Sequence, residues 1–390
     1  MKILIIEDDQ IVANIYRNKF ALDGFQAETA LDGEVGLQLV QSFRPDAVLL
    51  DLVLPRLSGL EVMRKIRAQK EFEELPIIVF SNTYLSNVVQ DAWKAGATKC
   101  LPKANCTPRQ VIDAVRSTIK PGRTAAPEKT EAASKPPAPA EPDHDDIEFE
   151  AQLRSDFVGE LPATLALLRT MLQGLIRAET EAGRMKHLDE LYRRIRSVSN
   201  NAGIAGATQI ALLADALEAL LKELQDKPKN INASTLRTVA SAIDFMGVLF
   251  GRATAPDQMF PEADVLVVDD EAISRRAIHY ALEKAKMKPT AVDDPLKALD
   301  LLLQKQFDLV FLDVDMPNMN GFELCSKLRT LPKYAKTPVV FVTGLNDLES
   351  RANSTMSGGN DFIAKPFLFI ELTVKALVHV LRSRLEQAKK

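Results

Sequence analysis

Residues 47–59 read AVLLDLVLPRLSG, and residues 309–321 read LVFLDVDMPNMNG, the same pattern 262 positions further on. Each copy opens with four apolar residues, reaches an aspartate, then turns through a proline and a glycine. Outward from these stretches, other polar residues repeat at the same offset. Glu7 and Asp8 answer to Asp269 and Asp270, Asp51 to Asp313, Ser81 to Thr343, and Lys103 to Lys365. Counted from Asp8 or Asp270, the gaps are 43, 30 and 22 residues in both sets. A repeat that keeps chemistry as well as spacing means two copies of one functional module.

Short apolar runs around these residues predict buried parallel strands alternating with helices. In the first module they are Ile3–Ile6, Ala47–Leu50, Ile77–Phe80 and a weaker run ending at Leu101, with Gln26–Thr29 as a further strand. In the second they are Val265–Val268, Leu309–Leu312, Val339–Val342 and Asp361–Ala364. The expected fold class is α/β plus all-α. Two doubly wound (βα)5 modules over 1–120 and 264–390 flank a helical middle over 147–251. The stretch from Leu368 to about Leu385 is long for a closing helix. In the middle, four apolar stripes at helical spacing predict an antiparallel four-helix bundle; one is Leu161, Leu165, Leu168, Leu172 and Leu175. Residues 121–146, rich in Pro, Ala, Lys and Glu, read as a flexible linker whose ends stand roughly 25–30 Å apart.

A length of 390 residues exceeds one ordinary core. A net charge of −4 leaves no footprint for nonspecific nucleic-acid binding or for an anionic membrane surface. The N-terminal apolar run is cut at once by Glu7, Asp8 and Asp9, so neither a signal peptide nor membrane insertion is expected. Three cysteines without paired spacing fit a reducing compartment, and the cytoplasm is the expected location.

In an open parallel sheet, functional groups gather at the carboxyl edge of the strands. Glu7/Asp8, Asp51, Ser81 and Lys103 each end or follow a strand, so they should meet in one shallow pocket. Crowded carboxylates call for a hard cation, and Mg²⁺ suits one or two carboxylates plus waters and a phosphate oxygen. A lysine opposite would neutralise a phosphoryl oxygen, and a Ser or Thr hydroxyl would hydrogen-bond another. The central aspartate is then placed to attack phosphorus and form an acyl phosphate.

On these residues both modules resemble the receiver domains of two-component response regulators. The resemblance implies Asp51 and Asp313 as phosphoacceptors. It implies Mg²⁺ held by Glu7, Asp8 and Asp51 with the carbonyl of Val53, and by Asp269, Asp270 and Asp313 with that of Asp315. Ser81 and Thr343 would be switch hydroxyls, and Lys103 and Lys365 phosphate-sensing lysines. The second copy keeps the family's cis proline as Pro366 and its rotating ring as Phe362. The first has Ala104 and Cys100 there, so its relay from pocket to surface should differ. Implied partners are a histidine kinase or phosphotransfer protein upstream and a protein partner downstream.

The stretch from Leu191 to Leu224 resembles a histidine phosphotransfer domain. That family follows its histidine with glycine or small residues four, seven and ten positions on. Gly203 and Gly206 occupy the last two sites, which puts Arg196 where the histidine belongs and leaves His187 out of register. Guanidinium is a poor nucleophile at neutral pH. The expectation is a degenerate bundle retained for docking or homodimerisation, with Arg196, Ser199, Asn200 and Gly203 on one polar face. His144, His279 and His379 have no partners at ligand spacing. Two rival readings are a haloacid-dehalogenase-like phosphatase and a phosphorylation-silent scaffold. The first wants a second aspartate two residues after the nucleophile, met by Asp315 but not by Val53.

Overall fold

A computed structural model describes residues 1–81, 86–103, 106, 108–119, 144–253, 262–344 and 357–387. The expected linker falls almost wholly outside them, as does the backbone around Ala104. The first module has strands β1 (Lys2–Ile6), β2 (Gln26–Ala30), β3 (Ala47–Leu50), β4 (Ile77–Phe80) and β5 (Lys99–Leu101). Between and after them come α1 (Gln10–Leu22), α2 (Gly33–Phe43), α3 (Gly59–Arg67), α4 (Ser86–Lys94) and α5 (Pro108–Ile119). All strand pairs are parallel and the order is β2-β1-β3-β4-β5. Such a sheet is buried on both faces, which is why its strands are apolar without alternation. Ile3 and Ile5 pack on one side with Val12, Tyr16 and Phe20, while Leu4 and Ile6 pack on the other with Val40, Val62 and Ile66.

Four helices follow: α6 (His144–Arg177), α7 (Glu181–Ile204), α8 (Thr208–Asp226) and α9 (Ala233–Phe250). The second module then repeats the first with β6 (Asp264–Val268), α10 (Ala272–Lys284), β7 (Lys288–Val292), α11 (Pro295–Gln304), β8 (Leu309–Asp313), α12 (Gly321–Thr330), β9 (Val339–Thr343), β10 (Asp361–Ala364) and α13 (Phe369–Gln387). Its sheet order is β10-β9-β8-β6-β7, again all parallel.

The duplication extends to backbone conformation. Arg56 and Asn318 share a left-handed φ of 65° and 69°, and Gly96 and Gly358 one of 96° and 86°. Arg67 and Arg329 each close the same corner, donating to the carbonyls of Gly96 and Gly358 respectively.

The chain divides into two compact units, and the helical middle is shared between them rather than forming a third. The first unit takes residues 1–161 with 197–211 and 253–257; the second takes 162–196 with 212–252 and 258–390. In the first, Ile204 and Leu153 join the apolar cluster between β1, α1 and α5, and Arg154 donates to the Ala205 carbonyl. In the second, α9 packs against α13. That contact buries α13 on nearly every side and accounts for the apolar length noted in the sequence. Among the described residues α9 is the one helix long and apolar enough to cross a membrane, and half of it is buried within the fold.

Two glycines hold the pocket loops close to their strands. A Cβ on Gly59 would stand 2.1 Å from the Asp51 carbonyl oxygen, and one on Gly321 the same distance from that of Asp313. Both contacts are with backbone, which cannot swing aside. Gly59→Ala and Gly321→Ala are each expected to cost about 2–3 kcal/mol, the upper part of the range for overpacking. Urea unfolding of the full chain checks this, and a loss below about 0.5 kcal/mol at either position would contradict the close approach.

Candidate functional site

The carboxyl edge of each sheet brings the repeated residues together. In the first module Ile6 pairs with Leu50 and Leu50 with Val79, which sets Glu7 beside Asp51 and places Ser81 just past the end of β4. Asp9 caps α1 by accepting from the amides of Ile11 and Val12, which leaves Glu7 and Asp8 to the pocket. Ser58 and Glu61 form a capping box that starts α3 and fixes the far wall of the loop after Asp51.

Lys103 is the centre of this pocket. Its Nζ lies 2.6 Å from Glu7 Oε2 and 2.8 Å from Asp51 Oδ2, and its side chain is 1% exposed. The ring of Phe80 lies beneath the ammonium, with its centroid 5.7 Å away. The Val53 amide donates to Asp51 Oδ1 at 3.2 Å. Burial, with Asp51 close by, pushes the Glu7 carboxyl up to about 8 although Lys103 opposes the shift.

The second pocket has the same plan with more room. Lys365 Nζ lies 2.8 Å from Asp313 Oδ2, 3.1 Å from Asp269 Oδ2 and 3.7 Å from Glu271 Oε2, and its side chain is 20% exposed. The Ser274 hydroxyl donates to Asp269 Oδ2 at 2.5 Å, where the first module has Val12. Burial raises the Asp313 carboxyl above its ordinary value, while the hydrogen bond from Lys365 pulls it back. Against the downward pull of burial, Asp313 and Asp269 hold Lys365 above its ordinary value. Thr343 ends β9 buried, and its carbonyl accepts from the Lys365 amide at 2.7 Å. The Lys365–Pro366 peptide is cis.

One carboxylate oxygen from each of Glu7, Asp8 and Asp51 lies within 4.8 Å of the others, and the same holds for Asp269, Asp270 and Asp313. Three hard oxygen donors at this separation fit a magnesium ion. Cys100 is half-buried in β5, and burial pushes its thiol up to about 11. Phe362 is partly buried in β10 with the Arg237 guanidinium 4.9 Å from its ring centroid.

The helical middle departs from the sequence expectation. Ser199 and Asn200 are buried, and Arg196 is 12% exposed with Nε 3.9 Å from Glu218 Oε1 of α8. This face is therefore turned into the protein, and Arg196 meets an internal carboxylate instead of solvent. His187 stands over Gly174, with Nδ1 3.4 Å from Glu190. His379, expected to be incidental, is 8% exposed and lies 3.2 Å from Asp361 Oδ2, which also accepts from Lys375 at 2.6 Å. Against the upward pull of burial, the contacts with His379 and Lys375 hold Asp361 below the ordinary carboxylate range. Nothing in linear spacing marks that cluster, because its members come from β10 and α13. Glu271 and Ser274 escaped the sequence reading for a different reason, since the first module has Asp9 and Val12 at those positions.

The response regulator receiver domain family matches residues 3–116 and 265–377. Response regulator MprA of Mycolicibacterium vanbaalenii is 39% identical over 103 residues, which are 26% of this chain and 44% of that protein. Protein RcaC of Microchaete diplosiphon is 33% identical over 120 residues, 31% of this chain and 18% of that protein. The chain thus spans less than half the length of either relative. Among solved structures, chemotaxis response regulator CheY4 of Vibrio cholerae is 30% identical and covers 31% of this chain and 99% of its own, with a TM-score of 0.29. With two matches that together take in more than half of its residues, the chain belongs to the response regulator receiver domain family and carries that domain twice.

Proposed function

We propose that this chain is a two-component response regulator that accepts phosphoryl groups at Asp51 and Asp313 from a histidine kinase or phosphotransfer protein and signals through protein contacts. The observation that carries this reading is the duplicated pocket, in which a lysine ammonium bridges the central aspartate and the acidic residue after the first strand. A carboxylate oxygen attacks phosphorus, the bond to the donor nitrogen breaks, and its electron pair stays with the donor imidazole. Lys103 or Lys365 then meets a phosphoryl oxygen, and the hydroxyl of Ser81 or Thr343 donates to another. Glu7, Asp8 and Asp51 with the Val53 carbonyl, and Asp269, Asp270 and Asp313 with that of Asp315, would hold Mg²⁺. When bound, it neutralises charge on the incoming phosphoryl group.

We read 147–251 as an antiparallel four-helix bundle of phosphotransfer type that has lost its phosphate carrier. The buried stripes of Leu168, Leu172 and Leu175, of Leu188, Leu191 and Ile195, and of Leu213, Leu217 and Leu220 support this. Arg194 donates to Thr164, and the Arg169 guanidinium donates twice to Asp244, consistent with neighbouring helices. Arg196 serves as an internal counter-charge to Glu218 and has no part in phosphoryl transfer. Val53, standing where a phosphatase of the haloacid-dehalogenase type would need a carboxylate, weighs against that alternative.

Beryllofluoride with Mg²⁺, a stand-in for the phosphoryl group, is expected to bind at two sites per chain by titration calorimetry or fluorine NMR. A single site, or none, would contradict two working pockets.

A further inference from the structure

The structure assigns α9 as the partner that reads the second receiver, with Arg237 on the Phe362 ring as the contact that senses the state of Asp313. The inference rests on the reading of Asp313 as a phosphoacceptor.

The surface in question is a built interface. Glu371 of α13 is 3% exposed, and a carboxylate so buried needs donors. They come from α9: Ser234 Oγ donates to Glu371 Oε1 at 2.7 Å, and Thr238 Oγ1 lies 3.0 Å from the same oxygen. Further along, the Arg382 guanidinium lies 5.2 Å from the Phe245 ring centroid, and Arg252 donates to the Leu385 carbonyl. The contacts advance together along both helices, so α9 and α13 run in the same direction. The face formed by β10 and α13 is therefore already occupied by a helix of the same chain.

β10 connects this face to the pocket. It is four residues long, and each part of it has a different tie. At its start, Asp361 holds Lys375 and His379 of α13. Next, Phe362 carries the Arg237 guanidinium. Just past its end, Lys365 bridges Asp313 and Asp269. A phosphoryl group on Asp313 brings new negative charge to Lys365, whose ammonium must then divide itself among more acceptors. The strand end moves with it, because the Lys365 amide is bonded to the Thr343 carbonyl. A shift of a strand this short reaches Phe362 and displaces its ring from the guanidinium, whose attraction depends on lying over the ring face. Helix α9 then loses one anchor while the Glu371 anchor persists.

The test is hydrogen exchange on the full chain in an Asp51→Asn background, with beryllofluoride and Mg²⁺ as the probe. Protection of the peptide covering 309–321 reports occupancy of the second pocket. Exchange in the peptide covering 233–250 reports α9 and is expected to rise about threefold or more on saturation. In Arg237→Ala and in Phe362→Leu the basal exchange of α9 is expected to be raised already, and beryllofluoride to add little. Arg237→Lys, which keeps the charge without the planar stack, is expected to fall between. Ser234→Ala, which weakens the other anchor, is expected to raise basal exchange and leave the increment intact. Saturation at 309–321 with α9 unchanged would overturn this inference alone, as would an undiminished increment in Arg237→Ala and Phe362→Leu. Absence of protection at 309–321 would overturn the phosphoacceptor reading of Asp313, and this inference with it.

Discussion

Replacing Lys103 with methionine is expected to destabilise the first receiver by about 3 kcal/mol in metal-free buffer at pH 8, whereas Lys365→Met costs less. Lys103 is 1% exposed and neutralises both Glu7 and Asp51, neither of which has access to solvent. Removing the lysine leaves Asp51 buried without its counter-charge, and Glu7 as well once it ionises, and that imbalance sets the size of the loss. Lys365 is 20% exposed, and Asp269 keeps the Glu271 amide and the Ser274 hydroxyl as donors when the lysine is gone. The pH dependence has a definite sign. Burial already holds Glu7 up to about 8, above its unfolded value, so the folded state binds the extra proton. Stability tied to Glu7 is full below the unfolded pKa and is lost as pH rises through the folded one. The unaltered chain shares that window, so the loss caused by removing Lys103 should stay level between about pH 5 and pH 7 and deepen as pH rises through about 8, where Glu7 ionises beside Lys103. Urea titrations at about pH 6 and about pH 9, with a chelator present, measure it. Equal losses for the two lysine variants, or a loss that shrinks above about pH 8, would contradict the role given to Lys103.

Much of the receiver fold was legible because its chemistry is pinned to strand ends. Asp51, Ser81 and Lys103 each follow an apolar run, and parallel pairing turns that linear placement into proximity. The strand Lys288–Val292 was harder to read, since Lys288, Pro289 and Thr290 break any apolar run. It pairs with β6 alone, and an edge position tolerates the proline. The helical middle shows what periodicity leaves open. Spacing put Arg196, Ser199 and Asn200 on one face but carried no information on what that face meets. Glu218, on a different helix, supplies the internal counter-charge that makes burial of Arg196 affordable. The cluster of Asp361, Lys375 and His379, and the ties from Ser234 and Arg237 to the second receiver, join elements far apart in the chain. They depend on packing that no local pattern encodes.

The largest expected effect concerns covalent phosphate. Asp51 and Asp313 are buried aspartates, each fixed by a lysine at 2.8 Å and grouped with two further acidic residues. On the proposed reading, that geometry readies one carboxylate oxygen for attack on phosphorus and supplies charge neutralisation without rearrangement. An aspartate-to-asparagine change keeps the shape and removes the proposed nucleophile, so each substitution should abolish one acceptor and spare the other. The helical middle, where Arg196 pairs with Glu218 and His187 packs over Gly174, should carry none. The most direct measurement is the intact mass of the full chain after incubation with Mg²⁺ and acetyl phosphate, a small donor that needs no kinase. The expected result is addition of up to two phosphoryl groups in the unaltered chain, at most one in Asp51→Asn or Asp313→Asn, and none in the double variant. Undiminished phosphorylation of the double variant, or phosphate mapped to the helical middle, would contradict the account.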